Sequence, residues 1–308
     1  MEKQCCKKAV VAARTILVCA FFTCGFLLSS TSAHATDISG AISSTLVIYE
    51  DSQFVGDVTC TMTGAPCIQF GASGIKLKLN GFTMTGLADP VRGCAGVAVA
   101  LEDGINVPDV ADVKIQGPGV VRQFRLNGIR VQRSTGVKIE RVTASTNCTN
   151  GISLARSSDN DVRDNVSVRN GSTAFDSGGI AVTNDSNNNR IMRNEVSGNG
   201  YADPPGAPDF GIGILNGSSN NVVKENSAVG NANGILIGAA SGGFGNPSGN
   251  IVRENIIVGN PPIQVSNSFP AFTGVDIRDL SPSGANTFEN NLCLTYSGAG
   301  PAPCPNTP

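Results

Sequence analysis

Short apolar runs headed by glycine recur along the chain, each carrying its apolar residues at alternate positions. They begin at Gly74 (GIKLKL), Gly96 (GVAVAL), Gly128 (GIRVQR), Gly151 (GISLAR), Gly179 (GIAVTN), Gly211 (GIGILN), Gly234 (GILIGA) and Gly274 (GVDIRD). A period of two marks a strand buried on one face. It turns Ile129, Ile152, Ile180, Ile212 and Ile235 the same way as Val131, Leu154, Val182, Ile214 and Ile237. Successive starts lie 22, 32, 23, 28, 32, 23 and 40 residues apart. The shortest spacings are the bare repeat, and the longer ones are the repeat with a loop inserted.

A second apolar run ends at Asn165, Asn194, Asn226 and Asn255, and another Asn comes five residues later at Asn170, Asn199, Asn231 and Asn260. Asn accepts the left-handed backbone that a sharp corner needs, and stacked Asn amides can bond one another. Three short strands and two Asn corners in about 22 residues describe one turn of a solenoid whose turns stack about 4.8 Å apart. The predicted fold is all-β: a single-stranded right-handed parallel β-helix of about eight coils, three short strands per coil, over residues 74–296. The hand is that of the usual crossover of parallel strands. Residues 36–73 read as an N-terminal cap covering the open end of the stack. Residues 297–308, rich in Pro and Gly, read as an irregular C-terminal tail.

This pattern resembles the right-handed parallel β-helix repeat family, the pectin-lyase-like fold of pectate lyases, polygalacturonases, some alginate epimerases and the accessory protein NosD. The resemblance implies the fold over roughly Gly74 to Tyr296. The Asp-Asp and Gly-His-Gly motifs of polygalacturonases are absent, as is the Trp-Ile-Asp-His-like segment of pectate lyases. Many unrelated functions share such scaffolds.

Composition narrows the chemistry. Lys3, Lys7, Lys8 and Arg14 precede an apolar stretch from Thr15 to Leu28 and the small-residue site Ala33-His34-Ala35, the pattern of a cleaved secretory signal peptide over 1–35. The expected location is secreted, periplasmic or at the cell surface. Removing the leader leaves 18 basic against 23 acidic residues, a net charge of −5, which argues against nucleic acid as a partner. No later run is long enough to span a bilayer. The single histidine, His34, leaves with the leader, so His-based catalysis and His-ligated metals are excluded for the mature chain. Six cysteines remain. An even number in an exported chain favours disulfides, with Cys60–Cys67 and Cys293–Cys304 the expected local pairs and Cys94 with Cys148 left open.

Candidate site residues fall into three groups. Segments 171–178, 200–210 and 261–273 enter at the same corner, just before the Gly-headed strand, and are expected to form a lip. Phe175, Asp176, Tyr201, Asp203, Asp209 and Phe210 there supply aromatic and polar groups for a polysaccharide or cell-surface glycan. Arg133 and Arg156, at equivalent positions on adjacent repeats, are candidate bases for a polysaccharide lyase. Asp159, Asp161 and Asp185, in the succeeding turns, are candidate calcium ligands, the one cofactor the sequence admits. The outward residues expected of the Gly-headed strands run from Lys76 and Lys78 to Asp276 and Arg278. The pairs Arg163-Asp164, Lys224-Glu225 and Arg253-Glu254 read as ion pairs on a solvated outer surface. The leading function is an exported, non-catalytic β-helix that binds a glycan. The alternatives are a polysaccharide lyase or related carbohydrate-active enzyme, and a structural protein that presents a partner surface.

Overall fold

The computed structural model describes residues 35–88, 99–171, 177–200, 209–238, 244–260 and 274–304. Every strand pairing among them is parallel, and they build two sheets. The front sheet has ten strands. In order they are Leu46–Ile48, Ile68–Phe70, Ile105–Pro108, Ile129–Gln132, Asn150–Ala155, Gly178–Thr183, Phe210–Leu215, Ile235–Gly238, Ile277–Asp279 and Tyr296–Gly298. The other sheet, of eighteen strands, is two ribbons joined by the long strand Ser52–Cys60, which pairs with both Lys76–Lys78 and Thr83–Thr85. Each turn of chain therefore crosses the front sheet, one ribbon and then the other. Among the described residues no helix is long and apolar enough to cross a membrane.

The core is a set of like-on-like columns. Ile105, Ile129, Ile152, Ile180, Ile212, Ile235 and Ile277 stack in register and are all fully buried. Aliphatic residues on the first ribbon, such as Ile115, Ile139, Val162, Ile191, Val223 and Val252, and on the second, such as Val121, Val196 and Ile257, share one core with them. Closely spaced parallel strands leave little room at the corners. A Cβ at Gly151 would collide with Ser167 Oγ and stand 2.8 Å from the Gly179 carbonyl, which is why glycine heads the front strand.

Among the described residues three five-membered Asn ladders hold the corners, one more than the repeats announced. Asn165, Asn194, Asn226, Asn255 and Asn291 form the first, and Asn147, Asn170, Asn199, Asn231 and Asn260 the second. Asn160, Asn189, Asn221, Asn250 and Asn286 form the third, at the entry to the first ribbon. The left-handed residue of the corner is not the Asn. It is the residue before it: Asp164, Arg193, Glu225 and Glu254 have φ of 56°, 52°, 57° and 57°. The Asn offsets that strain by bonding. Asn194 donates from Nδ2 to the Val162 carbonyl at 2.9 Å and to Asn226 Oδ1 at 3.0 Å, while its Oδ1 accepts the Asn165 N–H at 3.0 Å.

The register differs from the sequence expectation at both ends. The run at Gly74 pairs with Lys114–Gln116, a strand of the first ribbon, so Lys76 and Lys78 do not lie on the front sheet. The run at Gly96 lies outside the described residues except at its last three positions, Val99, Ala100 and Leu101. The front strand of that coil is Ile105–Pro108, directly after Gly104. Near Gly274, Ile277 pairs with Ile235, two residues later than the Gly-headed alignment predicts. Asp276 thus occupies the glycine position and turns inward, where its carboxylate accepts Asn260 Nδ2 at 2.9 Å and the Leu294 N–H at 2.8 Å. It ends the second Asn ladder. Strands Thr36–Ile42, Leu46–Ile48 and Ser52–Cys60 already stack in parallel with the coils after them, so the solenoid begins well before residue 74.

The disulfides Cys60–Cys67 and Cys293–Cys304 are both present, near the two ends of the stack. Cys148 is also disulfide-bonded. Cys94 lies outside the described residues.

Candidate functional site

The outer surface of the front sheet carries one column three residues after the buried Ile, through Pro108, Gln132, Ala155 and Thr183, and two columns nearer the strand start. Residues two positions before the buried Ile supply one: Asp103, Asn127, Asn150, Phe210 and Asn233. Residues just after the Ile supply the other: Gln69, Asn106, Arg130, Ser153, Ala181, Gly213, Leu236 and Arg278. The second column changes character along its length. Its first three members are polar and half-buried, its centre is small or apolar and buried, and it returns to a cation at Arg278.

The centre is closed. Phe210, with no exposed surface, lays its ring on Gly213, where an added Cβ would stand 2.8 Å from ring carbons, and it packs with Ala181, Leu215 and Leu236. Asp209 is equally buried, and its Oδ1 accepts the Ser177 N–H at 3.0 Å. The sequence pattern assigns both residues to a ligand lip. The structure places them beneath the surface instead, because the chain entering the front strand brings Phe210 onto a stripe of side chains too small to fill the space alone. Phe175, Asp176, Tyr201 and Asp203 lie outside the described residues.

The polar third has an organised geometry. Asp103 Oδ1 accepts the Asn127 N–H and Nδ2 at 3.2 and 2.8 Å, and Arg130 Nη1 lies 3.6 Å from its other oxygen. Burial raises the Asp103 carboxyl above its ordinary value, against the lowering effect of Asn127 and Arg130. Beside it, Arg125 holds Glu102 through two bonds of 2.5 and 2.7 Å, and Glu102 accepts the Gly64 N–H at 2.6 Å. Asn106 Nδ2 reaches Gln69 Oε1 at 3.4 Å, while Asn106 Oδ1 is buried with no hydrogen-bond partner. One turn before Gln69, and in line with Gly71 two residues further along the strand, Tyr49 is 68% exposed with its ring across Gly71, where a Cβ would stand 2.5 Å from Cε1. Tyr49, Gln69, Asn106 and Arg130 thus present an aromatic ring, two amides and a guanidinium on successive turns. Sequence reasoning missed the first three. The strands bearing them belong to no Gly-headed repeat of ordinary spacing, and only the pairing of Ile68 with Ile105 brings Gln69 and Asn106 into line.

Arg133 and Arg156 do lie on adjacent turns, both in left-handed backbone at φ 49° and 51°. Arg133 is clamped by Asp109 through two bonds of 2.6 Å, and that hydrogen bonding raises its guanidinium further. Both partners are exposed, so this is a surface ion pair, and it would have to open before Arg133 served as a base. Asp159 and Asp185 are exposed turn residues with φ of 60° and 59°, and Asp161 sits 3.5 Å from Arg163. Among the described residues no group of three or more His, Cys, Asp or Glu is placed to hold a metal ion, so these three aspartates do not form a calcium site together.

The outer surface of the first ribbon is self-neutralised, as the alternating charges predict. Glu140 lies between Lys114 and Arg163 at 2.6 and 2.7 Å. Arg193 pairs with Asp164 at 2.8 Å, and Lys224 with Glu225 and Glu254 at 2.8 and 3.2 Å.

Over residues 95–293 the sequence matches the family described as the right handed beta helix region. The chain belongs to that family. No curated protein matches it. Among solved structures, this β-helix is similar to a double mutant of the periplasmic alginate epimerase AlgG, with a TM-score of 0.55 and 13% identity over 89% of this chain and 63% of that one. It is similar to the pectate lyase Pel9A, with a TM-score of 0.54 and 14% identity over 84% of this chain and 79% of that one. The pre-mature gene product 12 of bacteriophage phi29 gives a TM-score of 0.62 and 12% identity over 84% of this chain and 37% of that one. The chain thus spans less than two thirds of the AlgG structure. At these identities the likeness is one of fold.

Proposed function

We propose that the protein is an exported β-helix that binds a glycan along the polar third of its front sheet. The observation that carries this reading is the column Gln69, Asn106 and Arg130, with the buried and unpaired Asn106 Oδ1 in its middle and the exposed Tyr49 ring two residues to its side on the preceding turn. Sugars are recognised by stacking on aromatic rings and by amides that both donate to and accept from hydroxyls. A buried acceptor without a partner costs free energy, and a turn of the Asn106 amide toward a sugar hydroxyl would recover it. Arg130 favours an acidic polymer, since guanidinium binds carboxylate strongly. Turns about 4.8 Å apart suit a linear chain lying along the stack. AlgG and Pel9A are named for acting on alginate and pectate, which supports a polyuronate as the ligand. The leader pattern and the disulfides support export.

A lyase reading draws on one feature, the Asp103 carboxyl. It is held in a proton-retaining environment beside Arg130, as an acid serving a leaving oxygen would be. One screen separates the two readings. Purified chain from residue 36 onward is offered a panel of polysaccharides, with calcium and with chelator, and both retained binding and new unsaturated ends are measured. Binding without products supports the glycan-binding reading, products move the assignment to a lyase, and silence in both channels sinks both.

A further inference from the structure

The aliphatic column on the inner face of the front sheet runs through Val107, Val131, Leu154, Val182, Ile214 and Ile237, and its next member is Asp279. A carboxylate in line with six aliphatic side chains breaks the like-on-like rule that builds the rest of the core. Asp279 is 6% exposed, and its Oδ1 accepts the Ser281 N–H at 2.9 Å. Gly298 comes next in register and adds no side chain; a Cβ there would collide with the Tyr296 hydroxyl.

Here, at the C-terminal end of the stack, the structure has a cavity of about 440 Å³, lined by Asp279, Asn286, Phe288, Tyr296, Pro301 and Pro303. That volume falls within the range of small-molecule sites, roughly 300–1,000 Å³. Phe288 and Tyr296 meet edge to face, with ring centres 6.3 Å apart and planes at 73°. The Cys293–Cys304 disulfide ties down the tail that supplies the proline wall. Burial, and after it the Asp279 carboxylate, raise the Tyr296 phenol above its ordinary value, so it is protonated and neutral at ordinary pH.

We propose that this cavity is a binding site for a small organic cation, an amine or quaternary ammonium group, held by the Asp279 carboxylate beside the paired Phe288 and Tyr296 rings. A carboxylate and aromatic faces attract positive charge together, and a partly dry setting strengthens both. The same carboxylate repels the acidic glycan proposed for the front sheet, so the two sites take ligands of opposite charge.

The test is saturation-transfer NMR on the methyl protons of tetramethylammonium chloride with the purified chain, against sodium chloride at equal ionic strength. The expected result is transfer to the methyl signal, with binding about tenfold weaker in Phe288→Ala and lost in Asp279→Leu. Leu at 279 continues the aliphatic column, so this variant is expected to keep the wild-type fold by circular dichroism. Absence of transfer at millimolar probe, or equal transfer in a folded Asp279→Leu variant, would overturn the assignment.

Discussion

Asp103 accepts both the N–H and the Nδ2 of Asn127, and Asn127 in turn accepts the Nδ2 of Asn150 at 3.0 Å. The carboxylate thus sits at the head of an amide ladder, where an Asn would make the same two bonds without a charge. The position is 2% exposed and burial is the main cause of its raised carboxyl. Its folded state binds the proton more tightly than the unfolded chain does. Asp103 therefore lowers stability as pH rises from the ordinary carboxylate value through the raised one. The prediction is that Asp103→Asn melts at a higher temperature than wild type at neutral pH, and that the difference shrinks below about pH 4. Paired melts across that range check it. A variant that is less stable at neutral pH would show that the Arg130 contact outweighs the burial.

Asn194 bridges three turns. Its removal leaves the Asn165 N–H and the Val162 carbonyl buried without their partners. Asn194→Ala is expected to cost about 2–5 kcal/mol in denaturant unfolding. Asn194→Asp should also destabilise, since a carboxylate cannot donate to the Val162 carbonyl. A loss below about 1 kcal/mol for both would mean that the ladder contributes little beyond the apolar columns.

The first ribbon titrates in the opposite sense to Asp103. Hydrogen bonding from Lys114, with Arg163 adding to it, lowers the Glu140 carboxyl, and Arg193 lowers that of Asp164. A depressed carboxyl gives stability that is present above its ordinary value and lost as pH falls through the depressed one. Glu140→Gln should therefore be destabilising at pH 7, and its deficit should fade on acidification below about pH 4.5. Melts of the variant and wild type at matched pH test this. Asp164 and Arg193 are substantially exposed, so added salt should weaken that pair more than the Glu140 cluster.

The columns were legible because repetition makes them so. Ile129, Ile152, Ile180, Ile212 and Ile235 recur with the same neighbours, and a solenoid is the arrangement that stacks each on the next. Two corners were legible for the same reason. The third ladder was harder to see, since its Asn160, Asn189 and Asn221 lie among other turn-forming Asn, Asp and Ser. The polar row was not legible, because Tyr49, Gln69 and Asn106 sit where the repeat is irregular and meet only through backbone pairing. Asp209 and Phe210 misled for a physical reason. A polar residue and an aromatic beside a loop insertion look like a ligand lip, yet the small residues Ala181 and Gly213 beneath them leave a space that Phe210 fills.

The most direct test of glycan binding by the front sheet is titration calorimetry with the best-bound polysaccharide from the screen, comparing wild type with Tyr49→Ala, Asn106→Ala, Arg130→Ala and Arg133→Ala. Loss of a charged or buried hydrogen bond is worth about 1.5–3 kcal/mol, roughly ten- to a hundredfold in affinity. Weakening of that order is expected for Asn106→Ala and Arg130→Ala, less for Tyr49→Ala, and little for Arg133→Ala, whose guanidinium is already held by Asp109. Affinity unchanged by the Asn106 and Arg130 substitutions in folded protein would contradict the account and place the ligand elsewhere on the solenoid.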